Sequence, residues 1–248
     1  MLSIHQKTTV GKWDFPTIKQ KEKEKLHSIF LSISVSRNLL HLWIQIMKSS
    51  VDFFFLDFND SFSMNIIGEF YKRNDIVERI DFKDIPFFLN KQKRRVETKK
   101  TVIILGPGPG HPKDYKHIFP FLKEILNKKD YLFFGICLGH QILGILHRLN
   151  IKKSFSPMHG EGVEITIPKW SLFFKKEDQG RTIIVQRYNS LAVYSSQKEI
   201  MLFSTQNCFS VQFHPESVGT IDKNIFFDIP HHYFKQRRIY EREPNQVS

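Results

Sequence analysis

Cysteine is scarce in this sequence of 248 residues, which contains only two, and no apolar run reaches the roughly 20 residues that a membrane-spanning helix needs. Two cysteines do not form the disulfide framework that stabilises many small secreted domains. The sequence therefore excludes a disulfide-rich scaffold. It predicts an intracellular protein, located in the cytoplasm and not inserted in a membrane.

Acidic residues are also in deficit. Asp and Glu number 25 against 37 Lys and Arg, which gives a formal net charge of +12. Such an excess is typical of nucleic-acid-binding proteins. The basic residues concentrate, however, in predicted linkers and tails at 19–25, 91–100 and 235–242, and no recognisable binding module accompanies them. We therefore expect a solvated basic surface and no nucleic-acid partner.

Hydrophobic residues make up 41% of the chain, which suffices for one substantial core. Short apolar runs, typical of buried strands, alternate with helical patterns. The predicted strands are 51–56, 102–105, 131–134, 163–167, 183–185 and 208–213, and the predicted helices include 118–126 and a segment through 66–71. This order predicts an α/β fold, a single open and mostly parallel sheet with helices on both faces, whose site lies at the carboxyl ends of the strands.

A cysteine stands at the most informative turn of the chain. The apolar run 131–134 leads into small residues with Cys137 at the tip, and a helical apolar pattern follows through 142–149. Strand, sharp turn and helix form the nucleophile elbow, in which flanking glycines allow close backbone contact. The start of a helix beside Cys137 favours the thiolate. Taken alone, a cysteine is more often a buried residue that packs as a small hydrophobic side chain, and that is the alternative for this segment.

A histidine and a carboxylate follow the last predicted strand. His214 and Glu216 flank Pro215, which cannot donate to a sheet and should end the strand. Two residues apart in extended chain, their side chains project to similar sides. The pair suits a general base and the carboxylate that orients it, as in a thiol–imidazole–carboxylate triad. A strand-end histidine beside a solvated glutamate is the alternative for this segment by itself.

The loop Gly106-Pro107-Gly108-Pro109-Gly110 follows another buried strand. Its backbone N–H groups are not covered by side chains, so the loop is able to hold a developing oxyanion. An ordinary tight turn is the alternative for this loop on its own.

The segments 135–141 (GICLGHQ) and 213–217 (FHPES) resemble the two signature motifs of the class I (triad) glutamine amidotransferases. Three further segments narrow the resemblance to the chorismate-using branch of that family. They are 56–62 followed by Asn65, the loop 106–110, and the pair 157–160 and 188–191. The resemblance covers about 51–234. It is nearest to the glutaminase subunits of anthranilate synthase and of aminodeoxychorismate (para-aminobenzoate) synthase, and it implies their α/β fold.

The resemblance implies a mechanism. Cys137 is expected to attack the side-chain amide of glutamine and form a γ-glutamyl thioester. His214 is expected to accept the thiol proton and return it to ammonia, and Glu216 to orient the imidazole. The backbone N–H groups of Gly108 and Leu138 are the expected oxyanion donors.

Other matched positions are expected to bind the glutamine substrate. They are Gly108, Pro109, Gly110, Gln141, Ser190 and Leu191. The resemblance further implies that ammonia passes to a chorismate-binding synthase subunit (component I) as protein partner. Hydrolysis in this subunit is expected to need no metal and no organic cofactor, whereas the partner is expected to use Mg²⁺.

Several positions depart from the family pattern. Phe58 replaces an asparagine, Glu161 a lysine and Asn189 a histidine, and Leu149-Asn150 replaces a glycine pair. We expect these changes to affect the contact with the partner and its coupling to activity more than hydrolysis, because the triad and the oxyanion loop are intact. The segment 228–232, with Pro230 inside it, is expected to interrupt the C-terminal helix.

The resemblance leaves both ends of the chain unassigned. We predict an N-terminal extension at 1–50 with Met47 as an alternative start, a glutamine amidotransferase domain at 51–234, and a basic tail at 235–248. A targeting peptide is an alternative for the extension, although its few arginines and its acidic residues count against one.

Two functional alternatives stay open. One is a glutaminase of another pathway, such as guanylate or carbamoyl-phosphate synthesis, and the segments 60–62 and 158–160 argue against it. The other is a catalytically silent regulatory subunit, and the complete triad argues against that. The sequence does not separate the anthranilate pathway from the aminodeoxychorismate pathway, because that choice belongs to the partner.

Overall fold

The computed structural model describes residues 51–96, 99–169 and 171–242, with side chains described as far as residue 237. The predicted extension 1–50, its alternative start at Met47 and the last residues of the predicted tail, 243–248, lie outside the described residues.

A six-stranded sheet forms the centre of the fold, with the strand order β10-β11-β4-β3-β1-β2. Its strands are β1 Val51–Leu56, β2 Val77–Ile80, β3 Lys100–Leu105, β4 Tyr131–Ile136, β10 Leu202–Ser204 and β11 Cys208–Val211. All neighbouring pairs are parallel except β10 with β11, which is antiparallel. The predicted open, mostly parallel sheet is confirmed.

The central strands are apolar on both faces because both faces are covered. Along β1, Phe53 and Phe55 belong to one hydrophobic cluster, whereas Phe54 and Leu56 belong to a second cluster on the opposite side. Strand β4 is buried at every position. This pattern is the one expected of a parallel sheet between two helical layers.

Six α-helices lie among the described residues. They are α1 Ser63–Tyr71, α2 Ile85–Arg94, α3 Phe119–Ile125, α4 Leu138–Leu146, α5 Asn224–Phe227 and α6 Ile229–Arg242. Short 3₁₀ helices at Phe82–Asp84 and Pro112–Ile118 precede α2 and α3. None of the helices in the described part of the chain combines the length and apolar character needed to cross a bilayer.

Two small antiparallel sheets accompany the main sheet. One has the order β5-β8-β9, with β5 Asn150–Lys153, β8 Leu191–Ser195 and β9 Lys198–Ile200, and the other pairs β6 Glu161–Thr166 with β7 Thr182–Arg187. The predicted strands 163–167 and 183–185 therefore pair with each other and do not extend the parallel sheet. Alternation of half-buried and exposed residues along β6 is consistent with such a peripheral position.

The strand before His214 is shorter than predicted, ending at Val211 and not at Phe213. The last residue pair between β11 and β4 is Val211 with Ile136, because β4 itself ends there at the turn that holds Cys137. The strand thus ends where its pairing with β4 ends, four residues before Pro215.

The C-terminal helix is interrupted at Asp228, within the predicted segment, and Pro230 follows directly after the break. Helix α5 ends at Phe227 and α6 begins at Ile229, which places Pro230 in the first turn, where no intrahelical N–H donor is required. Helix α6 continues through Arg242, so 235–242 is helical and not a loose tail. Buried Tyr233 and Phe234 hold this helix on the core.

Candidate active site

Cys137 lies at the tip of a strained turn between β4 and α4. Its backbone adopts φ 52° and ψ −99°, a conformation that costs a non-glycine residue about 1–3 kcal/mol. The turn is held by hydrogen bonds from the Cys137 N–H to the Val211 carbonyl, 2.9 Å, and from the Gln141 N–H to the Cys137 carbonyl, 3.1 Å. The predicted elbow is therefore present, with its helix ending at Leu146.

Two glycines allow this turn to pack. A Cβ on Gly139 would lie 2.1 Å from the carbonyl oxygen of Leu105, and a Cβ on Gly135 would lie 2.8 Å from the Gly139 carbonyl carbon. The helix start, β4 and β3 therefore touch backbone to backbone, which only glycine allows.

The sequence predicted extended chain between His214 and Glu216, but the structure joins them by a tight turn. The Ser217 N–H donates to the His214 carbonyl at 3.2 Å and closes the turn around Pro215. Within it, His214 Nδ1 lies 2.7 Å from Glu216 Oε1. Both side chains are buried, and Glu216 Oε2 has no hydrogen-bond partner among the described residues.

The geometry fixes the protonation of the imidazole. An ionised carboxylate only accepts hydrogen bonds, so Nδ1 must carry the proton that is shared with Glu216. Nε2 is then left for the Cys137 thiol. Burial by itself lowers the pKa of His214, but hydrogen bonds and charge interactions with Cys137 and Glu216 outweigh it and hold this pKa well above its usual value. The site thus favours the protonated, imidazolium form of His214.

Two aromatic rings pack against the imidazole. The ring centroid of Phe62 lies 5.3 Å from that of His214, and the centroid of Tyr188 lies 5.0 Å away in an edge-to-face arrangement. Phe62 comes from the turn before α1, where Asp60 Oδ1 accepts its backbone N–H at 2.8 Å. Asp57 braces the same turn by accepting the Ser63 hydroxyl at 2.6 Å. The segment 56–62 therefore reaches the site through Phe62.

The glycine-rich loop meets the elbow at Gly108. A Cβ on Gly108 would lie 2.6 Å from Leu138 Cδ2 and 2.6 Å from Phe58 Cβ, so no larger residue fits. Among the described residues, neither the Gly108 N–H nor the Leu138 N–H donates to a protein acceptor. The two predicted oxyanion donors are thus in adjoining segments and are both available for a ligand.

The predicted substrate-binding residues fall into two groups. Gln141 and Leu191 are joined, since Gln141 Nε2 donates to the Leu191 carbonyl at 2.9 Å. Pro109 and Gly110 are exposed in the loop after β3, and the Pro109 carbonyl accepts the Tyr115 hydroxyl at 2.8 Å. The side chain of Ser190 is exposed, while its carbonyl accepts the Ser154 N–H at 2.9 Å.

A buried ion pair that the sequence did not reveal supports the 189–191 segment. Arg187 Nη2 lies 2.7 Å from Glu199 Oε1, and Arg187 Nε donates to Asn189 Oδ1 at 3.0 Å. Asn189 Nδ2 donates in turn to the Leu191 carbonyl at 2.9 Å. The network fixes the carbonyl that Gln141 also contacts.

The unusual residues are therefore not all on the surface. Phe58 and Asn189 are 1% and 4% exposed, so any effect that they have on a partner contact has to act through the residues around them. Their surroundings are the glycine-rich loop and the Arg187 network. Glu161 is exposed at the start of β6 and remains available to a partner.

The family model for class-I glutamine amidotransferases matches residues 54–231, well over half of the chain. The chain belongs to this family. The resemblance that the sequence motifs indicated is thereby confirmed, and the protein is an enzyme with glutamine amidotransferase activity.

Relatives of this glutamine amidotransferase include subunits of several synthases. Anthranilate synthase component 2 of Cyanidium caldarium is 30% identical over 188 residues, which cover 67% of this chain and 90% of that protein. The carbamoyl phosphate synthase small chain of Bradyrhizobium diazoefficiens is 32% identical over 143 residues, covering 50% of this chain but 34% of that protein. The crystal structure of a glutamine amidotransferase from Thermotoga maritima matches with a TM-score of 0.53 at 18% identity, covering 78% of this chain and 84% of that one.

The amidotransferase fold also places residues to which sequence reasoning gave no role. Phe62 and Tyr188 lie in motifs that were noted, but only the structure shows that they flank His214. Gln212 lies on the polar face of the predicted strand 208–213, and only the structure shows that it is fully buried. Such a side chain must find a partner.

Proposed function

We propose that this amidotransferase is the glutaminase subunit of a chorismate-aminating synthase, either anthranilate or aminodeoxychorismate synthase, and that Cys137, His214 and Glu216 are its catalytic triad. The observation that supports the triad most directly is the position of His214. One imidazole nitrogen is held by buried Glu216 at 2.7 Å, and the ring also interacts with the Cys137 thiol.

In the proposed reaction, the Cys137 thiolate attacks the side-chain amide carbon of glutamine. The oxyanion that forms is stabilised by the N–H groups of Gly108 and Leu138, and one such donor is worth about 10²–10³ in rate. The imidazolium of His214 gives its proton to the leaving ammonia, and the C–N bond breaks. Water activated by the neutral imidazole then hydrolyses the thioester, which releases glutamate and restores the thiolate.

The glutamine itself would be held by the segments that meet the elbow. Gly108, Pro109 and Gly110 lie on one side, and Gln141, Ser190 and Leu191 lie on the other. The chemistry needs a nucleophile, a base and hydrogen-bond donors, all of which this chain supplies, so we propose hydrolysis without a metal or an organic cofactor. Mg²⁺ belongs to the proposed partner, and the complex would work in the cytoplasm.

The proposed partner is supported by the similarity to anthranilate synthase component 2 along 90% of that protein. The match to the carbamoyl phosphate synthase small chain covers 34% of that protein, which favours a chorismate pathway over that alternative. The segments 56–62 and 157–160 resemble those of the chorismate-using branch, and Phe62 of the first segment contacts His214.

The test is a glutaminase assay of the purified protein, alone and with a chorismate-binding synthase subunit, for wild type and Cys137→Ser. We expect the variant to lose glutamine hydrolysis by about a thousandfold or more. The complex should still aminate chorismate with free ammonia. Full hydrolysis by Cys137→Ser would refute the triad, and failure of the subunit to bind or to stimulate the synthase would refute the partner.

A further inference from the structure

Gln212 is fully buried one residue beyond the end of β11, yet its amide reaches the reactive sulfur. Its Nε2 donates a hydrogen bond to Cys137 Sγ across 3.7 Å. A buried amide needs partners for both its NH₂ donor and its carbonyl acceptor, and this contact supplies a partner for the donor.

The orientation of the Gln212 amide follows from its second contact. The Leu191 carbonyl only accepts, so Gln141 must present Nε2 to it, at 2.9 Å. The same Nε2 lies 3.2 Å from Gln212 Oε1 and donates to it. With its oxygen engaged in this way, Gln212 turns its NH₂ group toward Cys137. The reverse orientation would place a carbonyl oxygen against a thiolate.

We propose that Gln212 is a further catalytic residue of this enzyme, whose amide N–H stabilises the Cys137 thiolate, and that Gln141 is the positioning residue that aims it. This inference rests on the proposed function, since it takes Cys137 as the nucleophile. The sulfur carries negative charge twice in the cycle, before it attacks the glutamine amide and again when water breaks the thioester C–S bond. A hydrogen bond to a charged atom is stronger than one between neutral groups, so the donor favours both states.

The inference is tested by alkylation of Cys137 with iodoacetamide from pH 5 to 9, which reports the thiolate without requiring glutamine binding. In Gln212→Met the side chain keeps its length but loses its donor. The pH of half-maximal rate should move upward, with the rate at pH 6 reduced about threefold to tenfold, as expected for a weak hydrogen bond to a charged group. The high-pH plateau should be unchanged. If Gln212→Met does not fold, Gln212→Asn withdraws the donor by one methylene and should shift the profile in the same direction.

Ser210→Ala is the matched control. Ser210 lies two residues earlier on the same strand, is equally buried, and bonds to helix α4 through His140 Nδ1 at 2.9 Å. Its loss removes a contact between β11 and α4 without touching the sulfur. Its alkylation profile should match wild type. An unchanged profile in a folded Gln212 variant, or an equal shift in Ser210→Ala, would overturn the inference.

The two proposals fail in different ways. If Cys137→Ala still hydrolyses glutamine, the proposed triad is wrong, and the role of Gln212 falls with it. If Cys137 is required but the alkylation profile does not depend on Gln212, only the present inference is wrong.

Discussion

The Phe62 ring packs on the His214 imidazole at a centroid distance of 5.3 Å, although the two residues are far apart in the sequence. The contact joins the turn before the first helix to the proposed base. Aromatic contacts of this kind are worth about 0.5–1.5 kcal/mol.

Phe62→Ala should therefore lower kcat for glutamine hydrolysis by about twofold to tenfold, because the imidazole is less firmly held. Phe62→Tyr keeps the ring and should retain most of the rate. Phe155→Ala removes an aromatic contact with Tyr194 from a residue that is 78% exposed, and it should not change kcat. Equal rates for Phe62→Ala and wild type would remove Phe62 from the catalytic geometry.

Gly139→Ala tests the backbone contact beneath the elbow. A Cβ would lie 2.1 Å from the Leu105 carbonyl oxygen, and backbone cannot move aside as a side chain can. We expect a loss of about 2–3 kcal/mol in the free energy of unfolding, measured in urea. Gly68→Ala is the control, since a Cβ there meets nothing within 4 Å in helix α1. That change should stabilise by about 0.5–1 kcal/mol.

Cys137→Gly should be more stable than Cys137→Ala, although both variants lack the thiol at position 137. At φ 52° and ψ −99° a Cβ is strained, and glycine removes that strain at a gain of about 1 kcal/mol or more. Thermal unfolding of the two inactive variants measures the difference. Equal melting temperatures would mean that the turn relaxes once the thiol is gone.

Glu199→Gln should be strongly destabilising. It removes the negative charge that lies 2.7 Å from the buried Arg187 guanidinium, in a pair whose side chains are 7% and 15% exposed. Breaking one side of such a pair costs about 3–5 kcal/mol. The KM for glutamine should rise as well, because Arg187 holds Asn189 beside Leu191. Glu124→Gln, which breaks the exposed pair with Lys93, should change stability by only about 0.5 kcal/mol.

His231 gives the stability a pH dependence of known sign. Its hydrogen bond with Asp75, at 2.9 Å, raises the pKa of His231 above the ordinary value, despite partial burial. The stabilisation is complete below the unfolded pKa of about 6.5 and is lost as the pH rises through the raised folded pKa. His231→Gln should therefore cost more at pH 6, where the imidazole is charged, than at pH 9. The cost at pH 6 should be at most about 1 kcal/mol, because the half-exposed His231 is screened by solvent. A constant cost across this range would contradict the ion pair.

The sequence predicted the parts of the fold that depend on local pattern. Continuous apolar runs identified β1, β3 and β4, and the small residues around Cys137 identified the elbow. The end of β11 was missed because it depends on where its neighbour β4 ends, which is not a local property. The turn at Pro215 was missed for the same reason, since the alternation of apolar and polar residues does not show where the pairing between two strands ends.

The sequence predicted site residues whose own side chains are reactive. It did not predict residues that hold those reactive side chains in position. Cys137 and His214 have reactive side chains, so their position beside glycine or proline was informative. Gln212, Arg187 and Phe62 are ordinary amide, charged and aromatic residues in sequence. Their importance comes from the residues that the fold places next to them. Arg187, for example, pairs with Glu199, which lies twelve residues later in the sequence.

The proposed base is attached to a different sheet from the nucleophile. The Cys137 N–H is bonded to Val211 of the main sheet, whereas the His214 N–H donates at 2.9 Å to the Gln186 carbonyl of β7 in the small β6-β7 sheet. The distance between the Cys137 sulfur and the His214 imidazole therefore depends on the position of the two sheets relative to each other. A shift of the small β6-β7 sheet relative to the main sheet would therefore change the distance between the Cys137 sulfur and the His214 imidazole, and with it the rate of the proposed reaction, without changing any of the reacting groups.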